Sequence, residues 1–182
     1  PSYKAFIVLI SSLTLVFGCE QLTISLESTP EKAQVSVVDY DNIIPLPVAA
    51  EPGSDYFVLA NTKQILISAS QPKLVAVANQ LTKSISSVVE QSIEINVISE
   101  QKILDSNLSQ ADRAVNQISL FVDNTLAGGP EAYNIVIEKQ LLSIVGGSDA
   151  GVFRGIQTLK QLFPLASDHK LSALKTGVIK DY

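Results

Sequence analysis

Two glycines inside an apolar helix pattern constrain this chain more than any other feature. Gly151 and Gly155 lie four residues apart, so a helix would place them on one face. Each costs a helix up to about 1 kcal/mol relative to alanine, so their presence needs a structural reason. We predict that the helix backbone approaches a β-sheet closely at these glycines. Gly155→Leu would then overpack the contact and lower the free energy of unfolding by roughly 1–3 kcal/mol. The alternative is that both glycines occupy tolerant surface positions.

The sequence around these glycines predicts a hairpin followed by one amphipathic helix. Tyr133, Ile135 and Ile137 alternate with Asn134, Val136 and Glu138, as in a strand with one buried face. Residues 141–145 form a second short apolar run. A glycine pair ends that run, Ser148 or Asp149 can cap a helix, and Pro164 ends the helix because proline lacks a backbone donor. The helix stripe consists of apolar residues mostly three or four apart: Val152, Phe153, Ile156, Leu159, Leu162 and Phe163.

The rest of the chain supplies a second helix and further strands. Pro72 opens a helix to about Val89, with apolar residues at intervals of four and three. Pro52-Gly53 predicts a turn, and residues 176–180 predict a last strand. Alternating apolar and polar residues predict three strands with one buried face, at residues 93–97, 118–122 and 133–137. The predicted fold class is α+β: a mainly antiparallel or mixed β-sheet with two helices packed on one face, its strand order undetermined.

The composition argues against several kinds of site. The net charge is −5 with 13 basic residues, whereas nucleic-acid binding requires a basic surface. One histidine and one cysteine cannot form a Cys/His zinc site within one chain, and we predict neither a metal site nor a cofactor site. His169 lies in a polar loop and is interpreted as an exposed residue rather than a catalytic one.

The beginning of the chain predicts export. Residues 1–19 have a positive start, an apolar run and a final cysteine, which together are typical of a signal peptide. The last four of these residues, VFGC, resemble the bacterial lipobox, which implies that Cys19 is lipidated. Residues 20–42 would then be a tether, and residues 43–182 the folded domain. The alternatives are an ordinary signal peptide with an incidental cysteine, and a buried apolar segment.

Two motifs are shared with a known family. Residues 129–137 read GPEAYNIVI, and residues 150–164 read AGVFRGIQTLKQLFP. They resemble the GxEGY strand and the AGxFYGxQTLxQLL helix in the N-terminal accessory domain of glycoside hydrolase family 20, the β-N-acetylhexosaminidases. Ala132 and Arg154 stand where those motifs usually have glycine and tyrosine. The resemblance covers roughly residues 43–182.

The resemblance implies a domain without catalytic residues. Family 20 enzymes use an adjacent Asp-Glu pair on a separate barrel, where the Glu is the general acid and the Asp orients the substrate's acetamido group. No Asp-Glu dipeptide occurs in these 182 residues, so no residue is predicted to be catalytic and the fragment alone is expected to be inactive. A barrel of about 200 residues or more would follow Tyr182.

The implied protein is an exported exo-β-N-acetylhexosaminidase, in the bacterial periplasm or on the outer membrane or cell surface. Its partners would be the catalytic barrel of the same chain, glycans ending in N-acetylglucosamine or N-acetylgalactosamine, and the membrane that holds the lipid anchor. Because the alternating strands leave one sheet face without helices, we expect the barrel to pack on that face. The rival hypotheses are a surface lipoprotein that binds a glycan or protein without catalysis, and the accessory domain of another glycosidase family.

Overall fold

The computed structural model describes residues 35–103, 116–163 and 171–182. The predicted export signal with Cys19, and the loop that carries His169, lie outside these residues. The strands and helices are, in chain order, β1 (Val35–Ser36), β2 (Ala49–Val58), β3 (Thr62–Ser68), α1 (Leu74–Val89), β4 (Glu94–Ile98), β5 (Asn116–Val122), β6 (Tyr133–Ile137), β7 (Leu141–Gly146), α2 (Asp149–Gln161) and β8 (Leu171–Asp181).

The strands form one mixed sheet in the order β2–β8–β6–β7–β5–β3–β4, and the short β1 pairs with the start of β8. In one half of the strand order, β4, β3, β5 and β7 run parallel. In the other half, β6 is antiparallel to both β7 and β8, and β2 is antiparallel to β8. The predicted hairpin is confirmed, with Ile135 opposite Ile144. The sheet therefore has a parallel half and an antiparallel half that meet at β7.

Two helices cover one face of this sheet. α1 lies over β3, β4 and β5, and α2 lies over β5, β6 and β7. The apolar side chains of α1 that point at the sheet are fully buried, at the spacing the sequence predicts: Leu74, Ala78, Leu81 and Ile85. The predicted fold class, α+β with a mixed sheet and two helices on one face, is confirmed for the part of the chain that the structure describes.

The glycines of α2 face the sheet at short range. A Cβ placed on Gly151 would fall against the carbonyl oxygen of Ala132, and a Cβ on Gly155 would lie 2.8 Å from Cγ2 of Ile144. Both glycines are buried. The predicted close approach of helix to sheet is therefore confirmed, and the alternative of tolerant surface positions is wrong.

α2 begins where the sequence places it. Ser148 is the N-cap, and its Oγ accepts a hydrogen bond from the backbone N of Ala150 at 3.1 Å. The same hydroxyl donates to the carbonyl oxygen of Pro130 at 2.6 Å, so the turn before β6 is tied to the start of the helix. One residue of the predicted stripe is misplaced: Phe153 is 40% exposed, because it lies beside rather than within the buried face of α2.

The largest differences from expectation concern β2 and β8. The predicted turn at Pro52-Gly53 lies inside β2, which continues through an irregularity in its pairing with β8 between Pro52 and Tyr56. The predicted last strand of five residues is the end of an 11-residue strand, β8, that lies between β2 and β6. The turn prediction is therefore wrong. An irregularity in an edge strand accommodates a proline, which in a central strand would remove a hydrogen bond of the sheet.

The fold also includes residues that the sequence interpretation assigned to the tether. Tyr40, in a short 3₁₀ helix at Tyr40–Asn42, is 2% exposed and belongs to the core. Its hydroxyl donates a hydrogen bond to the backbone oxygen of Lys175 in β8 at 2.9 Å. Burial raises the pKa of Tyr40 to about 12, so the hydroxyl remains a donor at neutral pH.

Candidate interaction surface

Exposed apolar side chains lie together beside the end of β8. Ile44, Leu46 and Val48 are 79%, 73% and 56% exposed. Tyr182, which directly follows β8, is 70% exposed. We call these four residues the apolar lip. The backbone N of Val48 donates to Asp181, which places the segment that carries the first three residues beside the end of β8. Large apolar side chains exposed in one region of a surface are typical of an interaction site.

The first part of the lip is held by a side chain of α2. The Gln161 carboxamide accepts a hydrogen bond from the backbone N of Ile44 at 2.9 Å and donates one to the backbone oxygen of the same residue at 2.9 Å. This paired arrangement imitates the bonding of an adjacent strand. It fixes the backbone of Ile44 against the end of the helix and leaves the Ile44 side chain exposed.

The second part of the lip is held by the last residue of β8. Asp181 accepts a hydrogen bond on Oδ1 from the backbone N of Val48 at 3.3 Å. On Oδ2 it accepts one from the Tyr133 hydroxyl at 3.5 Å, and that hydroxyl also lies 2.7 Å from Oγ1 of Thr158 in α2. Burial is the main cause that raises the pKa of Tyr133, so its phenol keeps its proton at neutral pH. Asp181 thus joins β8, β6 and the lip.

Tyr182 rests on the turn that precedes β6. A Cβ at Gly128 would lie 2.7 Å from Cγ of Tyr182, and this glycine has φ +99°, a conformation that favours glycine. Beside the turn, the Arg154 guanidinium pairs with Glu131 at 2.6 Å on the surface. The Tyr182 side chain therefore packs against the backbone of this turn and is otherwise exposed to solvent.

The sequence interpretation did not identify the lip. It described residues 43–47 as an extended segment at the start of the domain and assigned them no role, whereas the structure has bends at Ile44 and Pro45 and a cis peptide bond between them. The apolar residues Ile44, Leu46 and Val48 around Pro45 and Pro47 are the sequence signal for this surface, because prolines keep such a segment out of a central strand.

The sheet face opposite the helices differs from the expectation of an open docking face. Among the described residues of that face, Leu66, Ser119 and Leu141 are buried. Polar side chains bond across its strands: Asn96 donates to Gln64 at 3.0 Å, Gln64 to Gln117 at 3.4 Å and Ser119 to Ser143 at 3.2 Å. Large exposed apolar side chains lie at the lip and, elsewhere on the described surface, at Tyr56, Val97 and Phe153.

An open depression of about 550 Å³ lies at the turn between β6 and β7, beside β2 and β8. Asp55 and Lys139 on its rim form an ion pair at 3.1 Å, and both side chains are at least half exposed. Thr176 Oγ1 donates to the backbone oxygen of Asp55 at 3.1 Å, which closes the irregular part of β2 against β8. These contacts give Asp55, Lys139 and Thr176 structural roles.

Three of the described carboxylates have structural partners at the surface. Asp149 and Asp55 form ion pairs with lysines, and hydrogen bonds from Thr125 lower the pKa of Asp123. Among residues 35–103, 116–163 and 171–182, no three His, Cys, Asp or Glu side chains are grouped as a metal site requires. Over the same stretches, no helix has the length and apolar character to span a membrane.

Comparisons with known proteins identify the fold. The family profile described as glycosyl hydrolase family 20, domain 2, matches residues 40–182. A β-hexosaminidase of Porphyromonas gingivalis is 32% identical over 155 residues, which cover 82% of this chain and 18% of that relative.

Solved structures agree with the profile. The GH20 β-N-acetylhexosaminidase of Streptomyces coelicolor matches with a TM-score of 0.64 at 20% identity, over 81% of this chain and 27% of that one. A β-hexosaminidase variant of Streptomyces plicatus, solved with the product GlcNAc, matches with a TM-score of 0.61 at 23% identity, over 82% and 28% of the two chains. This chain therefore spans less than a third of the length of these relatives.

Proposed function

Because this chain belongs to glycosyl hydrolase family 20 as its domain 2, we propose that it is the non-catalytic accessory domain of an exo-β-N-acetylhexosaminidase. The enzyme would remove terminal N-acetylglucosamine or N-acetylgalactosamine from glycans. The observation that carries this proposal is the family match over residues 40–182, which includes the hairpin and the glycine-seated helix α2.

The chemistry in this proposal belongs to a barrel elsewhere in the full-length polypeptide. An adjacent Asp-Glu pair there would protonate the leaving oxygen and orient the acetamido group that attacks the anomeric carbon. No residue of this chain takes part in those steps. Its role would be to hold the barrel in its folded form through a fixed contact.

The test is to express the full-length polypeptide and the 182-residue chain separately and to assay both on 4-nitrophenyl N-acetyl-β-glucosaminide and the matching galactosaminide. We expect hydrolysis by the full-length protein and none by the shorter chain. A 4-nitrophenyl β-glucuronide serves as the control substrate. Cleavage of the glucuronide alone would favour another glycosidase family, and no cleavage by the full-length protein would favour a binding protein.

We further propose that the protein is exported and held to a bacterial membrane by a lipid on Cys19. The lipobox-like sequence VFGC supports this proposal. Expression with a radiolabelled fatty acid should label the wild-type protein in the membrane fraction, whereas Cys19→Ala should lose both the label and the membrane attachment. Membrane attachment of the unlabelled Cys19→Ala variant would contradict it.

A further inference from the structure

We propose that β4 is the edge through which two copies of this protein associate, as antiparallel strands around a two-fold axis at Asn96. The inference goes beyond the proposed function and does not depend on it, since it concerns the sheet of this domain and no catalytic group. In the part of the chain that the structure describes, β4 ends the sheet and no strand pairs with its outer side.

The two ends of the sheet differ in how they resist pairing with another chain. An edge strand presents unpaired backbone groups, and proteins commonly block it with a proline, a lysine or a bulge. At one end, β2 contains Pro52 and an irregularity in its register. At the other end, β4 reads EINVI, has neither proline nor lysine, and keeps a regular register with β3 from Glu94 to Ile98. β4 is therefore the end of the sheet that is open to a further strand.

The hydrogen bonds of β4 show which of its backbone groups point outward. The carbonyl oxygen of Ile98 accepts a hydrogen bond at 2.8 Å from the backbone N of Ala69, which directly follows β3. The backbone groups of alternate residues in a strand point the same way, so those of Asn96 also face β3. The backbone groups of Ile95 and Val97 then point away from the sheet, and each of these residues offers one donor and one acceptor to a partner strand.

A second copy of β4 matches these outward groups. When two β4 strands run antiparallel around Asn96, all five residues overlap, and Ile95 of each copy lies opposite Val97 of the other. Residues that face each other in this way exchange both of their backbone hydrogen bonds. The axis forms the same contact twice, which makes β4 self-complementary and selects a second copy as the occupant.

The side chains favour the same pairing. Ile95 packs against the core, and Val97, two residues further and therefore on the same face, is 52% exposed. Pairing around Asn96 places Val97 of one copy against Ile95 of the other, on the face that the helices cover. Apolar cross-strand pairs of this kind stabilise a sheet.

Disulfide formation tests this register in the full-length protein, prepared with Cys19→Ala so that the proposed lipid is absent. Asn96→Cys should form a covalent dimer on oxidation with copper phenanthroline, because the residues at the axis are a non-hydrogen-bonded pair with Cα atoms about 4.5 Å apart, within the range of a disulfide. Glu94→Cys is the matched control, because position 94 is exposed but would lie about 14 Å from its copy. We expect dimer formation at position 96 to be at least about tenfold faster, since only that pair meets the geometry of a disulfide. Peptide mass spectrometry identifies the linked cysteines.

Every other labelling result overturns the inference. Equal rates at positions 94 and 96 mean that the crosslinks arise from random collisions. Faster crosslinking at position 94 means that the strands meet in another register. Crosslinking at neither position means that β4 does not meet a second copy.

Sedimentation of the same full-length protein gives a second test that needs no new cysteine. From about 1 μM to about 1 mM, monomer and dimer should exchange, because a five-residue strand contact is a small interface. Asn96→Asp and Asn96→Lys place like charges at the axis and should each weaken association about threefold to fivefold, whereas a mixture of the two should restore it. Glu51→Lys on β2 is the control and should leave association unchanged. A wild-type protein that stays monomeric, or a dimer that neither charge at position 96 weakens, overturns the inference.

Discussion

The two helices lie on the same sheet face but contact it in different ways. α1 lies over the parallel strands and inserts side chains, of which Leu74, Leu81 and Ile85 are fully buried. α2 lies mainly over the hairpin, and at Gly151 its backbone lies next to the backbone of the turn before β6. Both helices bury side chains, including Val152, Ile156 and Leu159 of α2, but only α2 is shown to add a close main-chain contact, at Gly151.

The difference predicts how each contact tolerates change. A side-chain contact loses stability when volume is removed, because a cavity remains that neighbours fill only in part. A main-chain contact loses stability when volume is added, because neither peptide can move without breaking its hydrogen bonds. Loss of volume should therefore damage α1, whereas an added side chain should damage α2 at Gly151.

The largest effect is expected from truncation on α1. Leu81→Ala removes a fully buried side chain of the core and should lower the free energy of unfolding by about 2–5 kcal/mol. Urea denaturation followed by circular dichroism measures it. Gln80→Ala, at the exposed neighbouring position, is the control and should change little. A similar loss in both variants would mean that α1 is not seated through its side chains.

The converse effect is expected from additions to α2. Gly151→Ala should lower the free energy of unfolding by about 1–3 kcal/mol, although alanine is the better helix former. Gly155→Ala should cost less, because its new methyl meets the movable Ile144 side chain rather than a carbonyl oxygen. Gly155→Leu, with a longer side chain, should again cost roughly 1–3 kcal/mol. A higher melting temperature for Gly151→Ala than for wild type would contradict the main-chain contact.

The same contrast explains what the sequence could predict. The stripe on α1, the hairpin and the cap at Ser148 are local patterns, and each was confirmed. The glycine spacing in α2 is also local, and it correctly predicted a close approach. The prediction that Phe153 belongs to the buried stripe was wrong. An apolar residue next to such a stripe looks the same in sequence whether it faces the sheet or the solvent.

Features that depend on distant partners were missed. Gln161 bonds Ile44 across 117 positions, and Asp181 bonds Val48 across 133. No local pattern shows such a pairing, so the hydrogen bonds that hold the lip could not be predicted. For the same reason β8 was predicted at less than half its length. Alternation also failed to indicate that β3, β4 and β5 run parallel, because it reports which face is buried and not the direction of the neighbouring strand.

A smaller effect tests one of these long-range contacts on the antiparallel half. Tyr40→Phe removes the hydrogen bond to the Lys175 backbone and should lower the free energy of unfolding by about 0.5–1.5 kcal/mol at pH 8. Urea denaturation measures the difference between wild type and variant. Phenylalanine keeps the ring in the core, so this difference reports mainly on the hydroxyl.

The difference should also depend on pH in one direction. The pKa of Tyr40 is about 12 in the fold against 10.0 for an unperturbed tyrosine, so the unfolded chain releases the phenol proton first as the pH rises. The hydroxyl therefore contributes its full stability below pH 10 and loses it between pH 10 and about 12. The phenylalanine variant has no such loss, while Tyr133 titrates in both proteins and cancels. The advantage of wild type should shrink across that interval, and a constant difference would show that the Tyr40 hydroxyl is not buried against β8.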